Sequence, residues 1–502
     1  MAFVLASAAS AIGLGNLWRF PYLAAQYGGG LFIVVYLALV STLGFTLMLT
    51  EIAIGRKTRQ SQLTAYSRLH GAWGGVGLAA TVVPILITPY YCVIGGWVLY
   101  YLKAYAVMAF TGTSPMGEAA AQSGAFFTGF ISSPFAPFGF GIAFVLGCAG
   151  VIVLGVKNGI EKSNLVMMPV LFLMAVAISV YVVCLPGSGD GLRYYLMPNM
   201  DSVTLDGRFS VAMLCKTILG AMGQMFYSLS LSMGIMITYG SYMGKGDSIE
   251  GSVRRIEVFD TFIAIVAGLM IVPVVYMFAV KTGVTPELVA QCGGDAAAAT
   301  KAAVRSAMNA GTGLMFITLP KVFATFGAAG AWVGLAFFVL VTFAAATSAI
   351  SLFEACVASV CDLLRLERKP ATFFTAALIM FLATFSALGY GPWKDVTLSA
   401  GLARLGFSGE WIRSGLFAMQ FLDLFDFVTN SALMPVVATA TCVFVGWVLT
   451  PKAVVDEVEE CGRAFRAKRL YAVMVKYVAP AFMVAVLVSE VCRTFKIGGW
   501  SI

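Results

Sequence analysis

Asn16 and Arg19 are polar residues that an ordinary membrane-spanning helix has no use for. They sit in the run Ser10–Pro21, Ser-Ala-Ile-Gly-Leu-Gly-Asn-Leu-Trp-Arg-Phe-Pro, where Gly13 and Gly15 interrupt an apolar stretch. A helix broken at mid-membrane frees carbonyl and N–H groups that lipid cannot satisfy, so such a break persists only where it lines a protein cavity or a bound ion. A second interruption, Ser228 to Gly234, reads Ser-Leu-Ser-Leu-Ser-Met-Gly and lies inside another apolar segment in the second half of the same pattern. Paired interruptions of this kind mark solute-binding sites of secondary transporters. Small residues alone would also serve close helix packing, but the amide and guanidinium beside the glycines favour a ligand site. Further polar groups at membrane depth are Glu51, Tyr91, Asp260, the pair Thr347-Ser348, and Asp426. Such groups are costly in lipid and usually functional; Glu51 is expected to brace the first helix by hydrogen bonding. The chemistry is that of binding and moving a polar solute. The single histidine, His70, leaves no His cluster for a metal and no Ser-His or paired-carboxylate arrangement for an enzyme, and no GxxxxGK[ST] phosphate loop is present.

The elements that must position these residues are membrane spans. Of 502 residues, 60% are hydrophobic and only 11% charged, far below the roughly 25% charged of a soluble domain. The chain reads as an all-α polytopic membrane protein. A span needs about 20 apolar residues, and eleven such stretches are expected, near 2–25, 30–54, 78–110, 138–156, 164–185, 211–242, 256–281, 331–364, 372–389, 420–449 and 470–493. Longer outward loops are expected near 111–137, 186–210, 282–330 and 390–419, the third ending in a helical hairpin, Gly311 to Ala329, that dips toward the site or serves as a solvated lid. The net charge of +8 is concentrated in short loops: Arg56, Lys57, Arg59 and Arg68; Arg254 and Arg255; Arg365, Arg368 and Lys369; Arg463, Arg466, Lys468 and Arg469. This is the positive-inside pattern, with a cytoplasmic amino terminus and, after eleven spans, an external carboxyl terminus. It argues for a lipid bilayer as partner and against nucleic acid. The ten cysteines are scattered and form no CxxC pair, and no Asn-x-Ser/Thr sequon occurs, which favours a prokaryotic inner membrane.

The GLGNLWRFPY run with GGG at 28–30, the GQMFYSLSLSMG run from Gly223 and the Ala-Thr-Ser triplet at 346–348 fall in order along the chain. In these motifs the sequence resembles the neurotransmitter:sodium symporter family, most of all bacterial eleven-span carriers of hydrophobic amino acids. The resemblance implies the LeuT fold: spans 1–5 and 6–10 as inverted repeats (about 1–185 and 211–449), an added helix at about 470–493, and breaks in helices 1 and 6. It implies a first sodium site at the Ala11 carbonyl, Asn16, Ser228 and Asp260, completed by the substrate carboxylate. A second would use carbonyls of Ala9, Ile12 and Ala344 with the Thr347 and Ser348 hydroxyls. Oxygen ligands suit a hard cation, although membrane hydroxyls often merely bond the carbonyl one turn back. A fixed carboxylate at Asp260 supplies the charge that chloride brings elsewhere, so no chloride requirement is expected; pairing of Asp260 with Arg254 or Arg255 is the competing reading.

For the substrate, the resemblance implies a free amino acid. Its carboxylate would meet N–H groups around Gly13, Leu14 and Gly15 and the Tyr91 hydroxyl. Its ammonium would meet oxygens of Ser10, Ala11 and the Ser228 region. The side-chain pocket would be formed by Ile87, Tyr227, Ser230, Met233, Ser348 and Leu352, with Met233 adaptable in shape, and Ser232 stiffening the helix-6 break. Arg19 and Asp426 would close an outer gate over the aromatic lid Tyr91 and Tyr227, and Tyr242 and Asp362 match inner-gate positions. The expected function is sodium-driven uptake of bulky hydrophobic or aromatic amino acids. Alternatives are a same-fold osmolyte or proton-coupled carrier, or a non-transporting sensor.

Overall fold

The computed structural model describes residues 2–117, 119–205, 208–308, 312–393, 396–404, 417 and 419–495. Apart from a two-residue antiparallel ribbon, Thr204–Leu205 with Arg208–Phe209, the described regular structure is helical. This follows from the solvent: in hydrocarbon a helix satisfies its own backbone.

Nine described helices are long and apolar enough to cross a bilayer. The first expected span is instead a bent pair, α1 (Ala2–Ala11) and α2 (Gly15–Gln26), angled at 47°. Next come α3 (Gly30–Thr58), the short α4 (Gln62–Leu69), α5 (Gly71–Thr111), α6 (Ala136–Val153) and α7 (Val156–Val183). The sixth expected span, 211–242, is not one helix. It consists of α8 (Val211–Ser228) and α9 (Ile235–Tyr242), and neither half qualifies as a span by itself. The remaining spans are α10 (Ile249–Gly283), α12 (Ala328–Leu364), α13 (Arg368–Gly389), α14 (Phe421–Val448) and, after the amphipathic α15 (Thr450–Glu459), α16 (Lys468–Cys492); the shorter apolar helix α11 (Leu314–Ala324) lies between α10 and α12.

The two broken helices sit inside the bundle. α1 packs on α7, α10 and α12, and α9 packs on α3 and α12. α16 is peripheral, with only 22% of its most apolar window buried. The α3–α9 contact is very close: a Cβ on Gly55 would lie 1.9 Å from the Ile237 carbonyl oxygen, and one on Gly240 would lie 2.4 Å from that of Ile52. At each contact a glycine of one helix lets the isoleucine backbone of the other come close, so the inner half of the broken helix and α3 pack as one unit.

Two expectations need correction. Arg56, read as a loop cation, is 1% exposed; its guanidinium pairs with Glu457 of α15 at 2.8 Å and donates to the Asp247 carbonyl. The buried pair forms because α15 folds back against the end of α3. In the third loop, α11 is no solvated lid: Leu314, Met315 and Phe316 are fully buried, Phe316 stacks on Phe127, and its carbonyl accepts from Tyr101. Gly311, where that hairpin was expected to begin, and half of the 390–419 loop lie outside the described residues.

Replacing Gly55 by alanine should cost stability on the scale of core overpacking, about 1–3 kcal/mol. The check is a lowered unfolding temperature of the purified protein in detergent, with an exposed glycine such as Gly75 unaffected by the same change.

Candidate functional site

At the first break, Ile12 and Gly13 leave the helix and Asn16 N–H reaches back to the Gly13 carbonyl at 3.2 Å. The carbonyls so freed are taken up from other helices. Ser10 O accepts from Ser348 Oγ of α12 at 3.0 Å and from Ser230 Oγ at 3.3 Å. Ile12 O lies 3.5 Å from both the Thr347 and Ser348 hydroxyls.

The second break, residues 229–234, holds Ser230, Ser232 and Gly234 at φ of 53°, 60° and 71°. Left-handed backbone at two serines is strained by about 1–3 kcal/mol each and persists only where the surroundings over-determine it. One surrounding group is Glu51, 2% exposed, whose Oε1 accepts from Ser232 N–H at 2.7 Å. Glu51 therefore braces the sixth helix, not the first, because the left-handed turn at Ser232 points an N–H at α3 with no helical acceptor.

Between the breaks stands Asp260 of α10, fully buried. Its carboxylate accepts from Asn16 Nδ2 at 2.7 Å, from Ser228 Oγ at 2.8 and 3.0 Å, and from the Tyr36 hydroxyl at 3.2 Å. The competing pairing with Arg254 or Arg255 does not occur. Arg254 lies 3.8 Å from Glu257 and stacks on Phe45. Tyr36 was missed by sequence reasoning, since a tyrosine in an apolar span gives no sign of its partner.

A cavity of about 330 Å³ opens between these groups. Ser10, Ala11, Gly13, Gly15, Asn16, Ile87, Tyr91, Tyr227, Ser230, Met233, Ser348 and Leu352 line it, as does Ile235, which sequence reasoning did not single out. Two residues expected at the cavity wall are turned elsewhere. Ser228 faces Asp260, and the Leu14 N–H already donates to the Tyr91 hydroxyl at 3.3 Å. Gly13 and Gly15 are required by proximity: added Cβ atoms would lie 2.5 Å from Ser348 Oγ and 2.4 Å from the Tyr227 ring.

The oxygens around Thr347 and Ser348 are the donor set of a hard cation. Thr347 Oγ1 also bonds back to the Phe343 and Ala344 carbonyls at 3.0 and 3.1 Å, while Ser10 Oγ, beside them, is buried without a partner. Ala9 is fully buried in α1. An unpartnered hydroxyl among carbonyl and hydroxyl oxygens fits a sodium ion, which would be held there by these oxygens.

The gates differ from expectation. Arg19 and Asp426 are not in contact: the Arg19 guanidinium sits 5.5 Å from the Tyr227 ring centre, and Asp426 accepts from Tyr90 at 2.9 Å and from Asn430. The carboxylate is already held within its own layer, so no direct ion pair forms. On the inner side, Tyr242 and Asp362 belong to separate networks. Tyr242 donates to Glu354 at 2.7 Å, and Glu354 pairs with Arg368. Asp362 accepts from Ser61 N–H, Ser61 Oγ and Thr64 Oγ1 at 2.8, 2.6 and 3.0 Å.

Glu51→Ala should leave the Ser232 N–H buried without an acceptor, at a cost of about 1–3 kcal/mol. Its signature is a lower unfolding temperature together with faster amide exchange confined to residues 229–234.

The pattern of the Sodium:neurotransmitter symporter family matches residues 1–120 and 140–398. An uncharacterized sodium-dependent transporter of Bacillus subtilis (strain 168), YhdH, is 30% identical over 97% of this chain and 95% of its own. One of Methanocaldococcus jannaschii is 28% identical over 89% of this chain and 80% of its own. Among solved structures, that of MhsT in complex with L-phenylalanine superposes with a TM-score of 0.77 at 30% identity, covering 97% of this chain and 98% of the other. With an all-helical polytopic fold, two broken helices around one buried carboxylate and these similarities over almost its full length, the chain belongs to the sodium:neurotransmitter symporter family of Na+-coupled membrane transporters.

Proposed function

We propose that this transporter carries bulky hydrophobic or aromatic amino acids inward with sodium and without chloride. The observation that carries the reading is the mixed lining of the cavity. Oxygens of Ser10, Ala11, Ser230 and Ser348 and the Tyr91 hydroxyl are suited to an ammonium and a carboxylate; Ile87, Met233, Ile235 and Leu352 are suited to a large apolar side chain. The likeness to MhsT, solved with L-phenylalanine, points the same way. In this reading Ala11, Asn16, Ser228 and Asp260 hold one sodium, and Ala9, Ile12, Ala344, Thr347 and Ser348 hold a second. The substrate carboxylate completes the first, which couples ion to solute.

Chloride independence rests on Asp260, a carboxylate built into the site and already supported by three donors. Two sodium ions entering with a zwitterion at about 100 mV gain roughly 4.6 kcal/mol, enough for about a thousandfold accumulation. Tyr91 and Tyr227 would cover the occupied cavity, with Arg19 and Asp426 outside them and Tyr242 and Asp362 on the inner side. Localisation is the prokaryotic plasma membrane, with the amino terminus inside and the carboxyl terminus outside.

In proteoliposomes an inward sodium gradient should drive accumulation of labelled tryptophan and leucine, compete with other large apolar amino acids, and survive replacement of chloride by gluconate. Asp260→Asn should cut uptake at least tenfold in gluconate and recover part of it in chloride. Uptake that ignores sodium, or that stops without chloride in the unaltered protein, contradicts the proposal.

A further inference from the structure

Gln62 opens α4, the short helix between two spans, and is fully buried. Its side chain touches three things at once. Nε2 donates to the Ala355 carbonyl of α12 at 3.1 Å, and Oε1 accepts from Thr238 Oγ1 of α9 at 2.6 Å. Its stem lies against Gly234, the last residue of the second break, where a Cβ would meet Gln62 Cδ at 2.5 Å and where φ is +71°. Two further bonds join the same pair of helices along the next turn, Tyr239 to Ser351 at 2.7 Å and Tyr242 to Glu354 at 2.7 Å. α9 and α12 are thus tied by rungs, and the rung nearest the break passes through a residue that belongs to neither helix.

These two helices also carry the two sides of the oxygen cluster. α12 presents Thr347 and Ser348, the segment just before α9 presents Ser230, and both bond the Ser10 carbonyl. The register between α9 and α12 therefore sets whether the Ser230 and Ser348 hydroxyls meet on the Ser10 carbonyl, and with it how the first break is held beside the α12 hydroxyls that would share an ion with it. A buried amide that is fully engaged across a joint holds one geometry, and losing it leaves buried groups unpaired on both sides.

We infer that Gln62 is a positioning residue for ion binding: it holds the end of the helix-6 break against α12, so that the arrangement in which the cation ligands converge is the favoured one. Gln62 touches neither ion nor solute. It acts through Gly234 and Thr238 on one side and Ala355 on the other, and α4 becomes part of the coupling apparatus, not merely a loop. The inference uses only the family's dependence on sodium and is separate from the choice of substrate.

The test reads sodium directly. In the detergent-solubilised full chain, sodium should slow amide exchange over residues 229–242, and the sodium concentration at half-protection is the readout. Gln62→Met keeps the volume and removes both bonds; it should raise that concentration about three- to tenfold, because apparent affinity falls with the population of the competent state, while protection at saturating sodium returns to the unaltered level. Thr238→Val should give a similar rise, and the double variant no more than Gln62→Met alone, since both remove one joint. If Gln62→Met does not fold, Thr238→Val carries the same expectation. A half-protection concentration within twofold of the unaltered protein, or single effects that multiply in the double variant, would overturn the inference, as would absence of any sodium-dependent protection.

Discussion

A peptide group freed from its helix inside a bilayer must find a partner within the protein, and this constraint governs the whole centre of the molecule. Two helices give up their internal bonds at residues 12–13 and 229–234. The partners come from elsewhere: hydroxyls of Ser230 and Ser348 for Ser10, and the Glu51 carboxylate for Ser232. Ser348 and Glu51 are themselves on helices packed by neighbours, and Ser230 ties the second break to the first. Among the groups left unpartnered is the Ser10 hydroxyl at the cavity, and that unmet bonding is what a cation and a zwitterion would complete.

Charge is handled by the same economy. Asp260 is the carboxylate that stands between the two breaks, and three side-chain donors from α2, α3 and α8 support it. A buried carboxylate without such donors would be several kcal/mol less favourable. Two ion pairs lie toward the charged loops, Arg56 with Glu457 and Arg368 with Glu354. These pairs fasten α3 to α15 and α12 to α13. The outer charges, Arg19 and Asp426, are kept apart by their aromatic and amide neighbours. The inner side is thus tied across helices by ion pairs, whereas on the outer side Asp426 is tied to α5 by the Tyr90 hydroxyl.

Asn16, Gly13 and Gly15 announced the first break because an amide and two glycines are costly in lipid without a reason. The serine run announced the second in the same way. The long apolar helices needed only hydropathy, although three of them, those starting at Gly71, Val156 and Ile249, begin about two turns earlier than expected. Gln62 and Tyr36 gave no such signal. A glutamine after a basic loop and a tyrosine in an apolar span are unremarkable along the chain, and their roles exist only because α4 is folded under α9 and α3 runs beside α10. Arg56 misled for the related reason that a cation near a span end is ordinarily solvated, and only the return of α15 buries it.

Composition and local pattern by themselves determined that this is a polytopic helical membrane protein with two interrupted helices bearing polar groups, because the bilayer penalises each residue one at a time and the penalty is readable position by position. Tertiary structure alone decided which groups meet: that Glu51 holds Ser232, that Asp260 gathers Asn16, Ser228 and Tyr36, that Arg19 and Asp426 stay apart, and that Gln62 bridges α9 and α12. Those pairings join residues far apart in the chain, and a hydrogen bond depends on a few tenths of an ångström of relative helix placement that no local pattern encodes.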